Sequence, residues 1–135
     1  MINIADYDRS IKILFVDDSS TIREMVESAL IGLGYMNIQS ADDGVEALSL
    51  SMEEEYDLVI TDINMPHMDG ITLIEKLRNT LDYISTPILV LTTERTEAMK
   101  KKGREAGATA WMVKPFNESL LHKAMLETIA KVNNS

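Results

Sequence analysis

The sequence of 135 residues predicts an α/β fold, a doubly wound (βα)5 domain with a five-stranded parallel sheet between two layers of helices. Three observations carry this prediction. Compact runs of Ile, Leu and Val, the composition of strands covered on both faces, alternate with longer stretches whose apolar residues recur at helical spacing. The connections between them are short. Strand and helix alternate five times, a pattern that favours parallel pairing through right-handed crossovers.

Residues 11–16 form the first apolar run and are read as β1. Residues 22–33 are read as α1, with Ile22, Met25, Val26, Ala29, Leu30 and Leu33 on one stripe, a Thr21-x-x-Glu24 capping box at the start and Gly32 and Gly34 near the stop. Residues 37–40 alternate in polarity and suggest a weak β2 at the sheet edge. The pattern continues with α2 at 43–54, β3 at 58–60, α3 at 70–78, β4 at 88–91, α4 at 95–106, β5 at 111–113 and α5 at 117–132. Of the helices, α4 has the poorest apolar face, little more than Ala98, Met99 and Ala106. Its Gly103 costs about 1 kcal/mol relative to Ala in mid-helix, so α4 is expected to be marginal and easily shifted. Residues 1–10 are read as an N-terminal tail and 11–135 as a single domain.

Hydrophobic residues make up 45% of the chain and charged ones 26%, enough for a packed core. The absence of cysteine excludes disulfides and thiolate metal sites. A net charge of -9 repels phosphate backbones, so no nucleic-acid partner is expected. The N-terminus lacks the pattern of a signal peptide and no apolar run reaches membrane-spanning length, so a cytoplasmic protein with no membrane association is predicted. No internal repeat or linker is visible, and the chain stops after α5, so any output is expected to pass through another molecule.

In an open parallel sheet, ligands bind in the crevice at the carboxyl ends of the strands. Asp17 and Asp18 follow β1, Asp62 follows β3, Thr92 ends β4 and Lys114 ends β5. Singly, each has an ordinary reading as a turn, helix-start or solvated strand-end residue. Together, three carboxylates in one crevice repel one another, so either a pKa rises or a cation binds. Oxygen donors alone point to a hard cation such as Mg²⁺, which readily bridges carboxylates to phosphate. A carboxylate can attack phosphorus, and phosphoryl transfer needs mainly alignment and charge neutralisation, for which a metal on one side and Lys114 on the other would serve. Asp62, on the central strand, would be the acceptor.

The elements Val16-Asp17-Asp18-Ser19, Thr61-Asp62-Ile63-Asn64-Met65-Pro66 with Met68-Asp69-Gly70, Leu91-Thr92-Thr93, Gly107-Ala108 and Lys114-Pro115-Phe116 occur in order. With them the chain resembles the receiver domains of two-component response regulators, most of all the stand-alone chemotaxis regulators, from about Ile11 to Val132. The resemblance implies a flavodoxin-like sheet of order 2-1-3-4-5. It also implies Mg²⁺ held directly by Asp18, Asp62 and the Asn64 backbone carbonyl, with Asp17 acting largely through water. Thr92 would turn its hydroxyl toward the phosphoryl group, Lys114 would pair with it, and Lys114–Pro115 would be cis. Asn64 and Glu94 occupy the positions that tune access of the hydrolytic water. Trp111 stands where the family usually has a Tyr or Phe switch residue, and a bulkier indole would rotate less easily.

The implied donor is a sensor histidine kinase or phosphotransfer protein, and the receiver itself would supply the catalytic groups for its phosphorylation and dephosphorylation rather than act as a turnover enzyme. A monomer that signals to a downstream protein through its α4-β5-α5 face, in chemotaxis, is expected; a phosphorelay intermediate or a phosphate sink is the alternative. Thr96, Glu97 and Ala124 stand where the chemotaxis regulators carry basic residues, and Lys100, Lys101 and Lys102 come later and read as a solvated helix face. His67 and His122 lack ligand-spaced partners and are read as surface residues. A haloacid-dehalogenase-type phosphatase would also use an Asp nucleophile and Mg²⁺, but it needs a second Asp where Asn64 stands. Neither G-x-G-x-x-G nor G-x-x-x-x-G-K-[ST] is present to suggest a nucleotide or flavin binder.

Overall fold

The computed structural model describes residues 8–133. Its strands are β1 (Lys12–Val16), β2 (Asn37–Ala41), β3 (Leu58–Thr61), β4 (Ile88–Thr92) and β5 (Ala110–Val113). The helices are α1 (Ser20–Gly32), α2 (Gly44–Glu53), α3 (Gly70–Arg78), α4 (Glu97–Ala106) and α5 (Glu118–Asn133), with a 3₁₀ turn at Leu81–Tyr83. All strand pairs are parallel and the order is β2-β1-β3-β4-β5, as expected.

Successive strand residues face opposite ways, and each face has its own helices. Leu14, Val16, Val59, Ile88 and Val90 pack with Leu73, Ile74 and Leu77 of α3 in one core. Ile13, Phe15, Leu58, Ile60, Leu89 and Leu91 pack with Val26 and Leu30 of α1 and Leu121 and Met125 of α5 in the other. Burial on both faces is why these strands read as unbroken apolar runs.

Some local expectations change, and others gain a physical reason. The N-cap of α1 is Ser19, whose hydroxyl accepts the Ile22 N–H at 3.3 Å, so Thr21 lies inside the helix and the predicted capping box is not the cap. Gly103 is the one buried residue of α4, because the Trp111 ring lies against it: a Cβ there would fall 2.6 Å from Trp111 Cζ3. The glycine that weakens the helix is therefore the one that admits the indole. Of the segment read as a tail, residues 1–7 lie outside the described residues. Arg9 is docked, its Nε donating to the Leu33 carbonyl at 2.8 Å and its guanidinium 5.3 Å from the centre of the Tyr35 ring.

Beneath Arg9, the Tyr35 hydroxyl and His122 Nε2 lie 2.8 Å apart, and both residues are buried. His122 is thus a core residue and not the surface residue expected. Burial, and then the nearby Arg9 charge, hold its imidazole below the usual range, partly opposed by Glu118. A base with a depressed folded pKa folds in its neutral form, so its contribution is fully present above the unfolded value of about 6.5 and is lost as pH falls through the folded pKa. Urea-unfolding midpoints should therefore drop more steeply between about pH 7.5 and 5.5 in the natural chain than in His122→Gln. Parallel pH profiles would rule His122 out as a source of acid sensitivity.

Candidate functional site

The parallel ladder brings the chain ends of three strands together. Val16 is in register with Thr61 and Thr61 with Val90. The ladder runs one step past the strands, with the Asp17 N–H donating to Ala41 O at 3.1 Å, Asp62 N–H to Val16 O at 2.9 Å and Lys114 N–H to Thr92 O at 2.8 Å. Asp17, Asp62, Thr92 and Lys114 are thereby held on rigid backbone around one crevice at the carboxyl edge. The Lys114–Pro115 peptide is cis.

Lys114 Nζ lies 2.6 Å from Asp17 Oδ2 and 2.9 Å from Asp62 Oδ2, so one ammonium is shared by two carboxylates. Asp17 is 1% exposed and Asp62 8%, while Asp18 is open to solvent. Burial pushes the Asp17 carboxyl above its usual range, against the hydrogen bonds from Lys114 and the Ser19 N–H. Burial acts the same way on Asp62, but hydrogen bonds from Lys114, Thr92 and the Ile63 N–H outweigh it and lower its pKa. Desolvation opposes the Lys114 charge too, and the two carboxylates more than offset it. Asp62 is therefore held as an anion, the form a nucleophile needs.

Oxygens of Asp17, Asp18 and Asp62 all lie within 4.8 Å of one another. Three carboxylates against one ammonium leave two negative charges uncompensated, which matches a divalent cation. Asp17, Asp18 and Asp62 would hold a hard divalent ion such as Mg²⁺, which takes carboxylate oxygens and keeps several waters. The oxygen-only donor set fits that ion, and the Asn64 carbonyl, on the loop after β3, is a further oxygen. Mg²⁺ should accordingly stabilise the fold, by about 2.7 kcal/mol when present at a hundred times its Kd. Thermal denaturation with MgCl₂ and then with excess EDTA checks this, and coincident curves would contradict it.

Glu94 links the rest of the site. Its backbone N–H donates to Thr92 Oγ1 at 3.3 Å, its Oε1 accepts from Asn64 Nδ2 at 2.9 Å, and its carbonyl accepts from Trp111 Nε1 at 3.0 Å. Asn64 and Glu94, expected separately beside the acceptor, thus form one bridge. Trp111 is half-buried between this loop and Gly103, so a path of contacts runs from the crevice to α4.

A model of the response regulator receiver domain matches residues 13–126. The chain belongs to that family. Among relatives, "Chemotaxis protein CheY-3" of Vibrio cholerae is 37% identical over 118 residues, covering 87% of this chain and 91% of that protein. "Chemotaxis protein CheY1" of Helicobacter pylori is 38% identical over 124 residues, covering 91% and 99%. The solved structure of Vibrio cholerae CheY4 superposes with a TM-score of 0.84 at 42% identity, covering 88% of this chain and 98% of that one. The receiver domain of a Pseudomonas aeruginosa sensor histidine kinase, with a magnesium ion coordinated in its active-site cleft, superposes with a TM-score of 0.82 at 25% identity, covering 90% and 98%.

As a CheY-like receiver, the chain is a phosphoacceptor in two-component signalling and acts as a switch. Receivers bind Mg²⁺ in their acidic pocket, which the carboxylate cluster here fits. Among the described residues, no helix is long and apolar enough to cross a membrane.

Some receiver residues escaped the sequence. Arg23, one turn into α1, donates to the Asp17 carbonyl at 2.7 Å. Gly70 lies so close to Asp62 that a Cβ would fall 2.1 Å from the Asp62 carbonyl oxygen. A glycine directly after the α3 cap, Asp69, was a visible signal for it. His67, read as a surface residue without ligand-spaced partners, is exposed as expected and lies 2.7 Å from Asp43, a pair that nothing in the local pattern marks. Of the lysine run, Lys101 is solvated, whereas Lys100 lines a groove of about 160 Å³ with Arg104, Trp111 and Lys131.

Proposed function

We propose that this receiver is a stand-alone switch, built on residues 11–135, in which Asp62 is the phosphoacceptor, Asp17, Asp18, Asp62 and the Asn64 carbonyl hold Mg²⁺, and Lys114 and Thr92 contact the phosphoryl group. The observation that carries this reading is the buried Asp62 carboxylate sharing the Lys114 ammonium with Asp17. The donor is a phosphohistidine on a sensor kinase or phosphotransfer protein. An Asp62 oxygen attacks phosphorus as the P–N bond breaks, and the imidazole leaves with the bonding electrons and takes up a proton. Bound Mg²⁺ would neutralise and align the phosphoryl oxygens. Lys114, already within 2.9 Å of Asp62, pairs with the charge that arrives. Water later attacks phosphorus, the P–O bond to Asp62 breaks, and inorganic phosphate leaves with the carboxylate restored. Asn64 and Glu94, bridged beside Asp62, regulate how easily that water enters.

Thr92 makes the site a switch. Its hydroxyl supports both Asp62 and the Glu94 N–H, so turning toward a phosphoryl group releases the 93–96 loop on which the Trp111 indole hangs. Output through the α4-β5-α5 face follows, where Lys100, Arg104 and Lys131 give an otherwise acidic protein a cationic groove. Likeness to chemotaxis regulators, over 91% and 99% of their length, supports a chemotaxis switch, and our reading places it in the cytoplasm as a monomer. The test is incubation with Mg²⁺ and acetyl phosphate, which should add one phosphoryl group by intact mass. No addition, or equal addition in EDTA, would sink it.

A further inference from the structure

Three residues past Asn64, His67 has φ of 66°, a left-handed conformation that a side chain with a Cβ rarely adopts. The Met68 N–H donates to the Pro66 carbonyl at 2.7 Å, spanning His67 in the pattern of a γ-turn, and with positive φ at the centre this is the rare, strained form. Such backbone persists only where its surroundings hold it, and it clusters at functional loops.

What holds it comes from the β2–α2 connection. His67 Nδ1 lies 2.7 Å from Asp43 Oδ2, a bond that either a neutral Nδ1–H tautomer or an imidazolium can donate. The other Asp43 oxygen accepts the Glu46 N–H at 2.8 Å, so the same carboxylate caps α2. Gly44 N–H donates to the Met68 carbonyl at 3.3 Å, and a Cβ on Gly44 would fall 2.7 Å from that oxygen and 2.8 Å from Met68 Cβ. Only glycine permits this approach. At the other end of the same segment, the Ala41 carbonyl accepts the Asp17 N–H at 3.1 Å. Residues 41–44 therefore tie the end of β1, with Asp17 and Asp18, to the loop that carries the Asn64 carbonyl.

We infer that residues 41–44 and His67 form a strap that sets the Asn64 carbonyl against the Asp17 and Asp18 carboxylates, which makes Asp43 and His67 positioning residues for Mg²⁺. This rests on the reading of Asn64 as a metal ligand. An ion that demands near-octahedral geometry is sensitive to the placement of each oxygen, so a loosened strap weakens binding without unfolding the domain. Rigid support behind a ligand also fits the strain at His67, since a relaxed loop would carry the carbonyl elsewhere.

Two variants separate positioning from general support. His67→Gly accepts the left-handed backbone but loses the bond to Asp43. Asp43→Ser keeps a good α2 cap but cannot reach His67 in the same way. Both are expected to keep their urea-unfolding midpoint in EDTA and to bind Mg²⁺ about tenfold more weakly in a Trp111 fluorescence titration, the lower end of what losing a contact behind a ligand costs a metal site. His67→Asn, which tolerates positive φ and retains a donor, should recover much of the affinity. The double variant should be no weaker than either single one, because both remove one contact. Unchanged affinity in the single variants, or a loss of affinity matched by an equal loss of stability, would overturn the strap. A natural chain that bound no Mg²⁺ at all would instead take down the metal site proposed above and the strap with it.

Discussion

Asp62→Asn is expected to abolish phosphoryl incorporation from acetyl phosphate while the domain stays folded. The amide is nearly isosteric with the carboxylate but has no anionic oxygen to attack phosphorus, so no aspartyl phosphate can form at that position. The fold should tolerate the change because Asp62 stands at the end of a strand whose ladder bonds are made by backbone, and because Lys114 keeps Asp17 at 2.6 Å. Removing one of three clustered carboxylates also relieves repulsion. In Mg²⁺-free buffer the variant should unfold at a urea concentration no lower than the natural chain, and its Mg²⁺ affinity should fall because one ligand has lost its charge. Intact mass after incubation is the decisive readout. A phosphoryl group still found on the Asn variant would move the acceptor to another residue, and loss of the fold would show that Asp62 supports structure more than chemistry.

Gly70→Ala should be the most disruptive conservative change near the site. The added methyl would sit 2.1 Å from the Asp62 carbonyl oxygen and 2.9 Å from Ile63 Cα, both backbone atoms at the end of the central strand. No side chain can rotate away to make room, so α3 or the 62–64 backbone must move. Overpacking of a tight interior costs about 1–3 kcal/mol, and a backbone obstacle places this change toward the upper end. Its helix propensity gain over Gly, about 1 kcal/mol in a helix interior and less at the first turn, is too small to offset the collision. Movement of the 62–64 segment shifts the Asp62 carboxylate and the Asn64 carbonyl together, so Mg²⁺ binding and phosphorylation should fall with stability. Urea unfolding and a Trp111 fluorescence titration on the same samples check both effects. Stability equal to that of the natural chain would mean that the helix start gives way easily.

These effects were unequally legible in the chain itself. The strands were visible because burial on both faces demands continuous runs such as Ile88 to Leu91, and the helices because their buried stripes repeat every three or four residues. Ser19 and Thr21 both precede an apolar stripe, and only the observed bond to the Ile22 N–H tells them apart. Along the chain Gly103 reads only as a weakness in α4, whereas in the fold Trp111 occupies the space it leaves.

By itself, the sequence determined the order and type of the elements and the polar residues that end the strands, since a parallel sheet delivers all its carboxyl ends to one edge. Asp17, Asp18, Asp62, Thr92 and Lys114 could be named from that rule and from their motifs. Only the tertiary structure decided which of them touch and what stands behind them. Lys114 meets Asp17 across 97 residues, His122 meets Tyr35 across 87, and His67 meets Asp43 across 24. Contacts of that range depend on how packed layers bring distant backbones together, and no local period or spacing encodes them. Hence the chemistry proposed for Asp62 rests on residues readable along the chain, while the bridge to Trp111 and the contacts behind the proposed strap exist only in the folded chain.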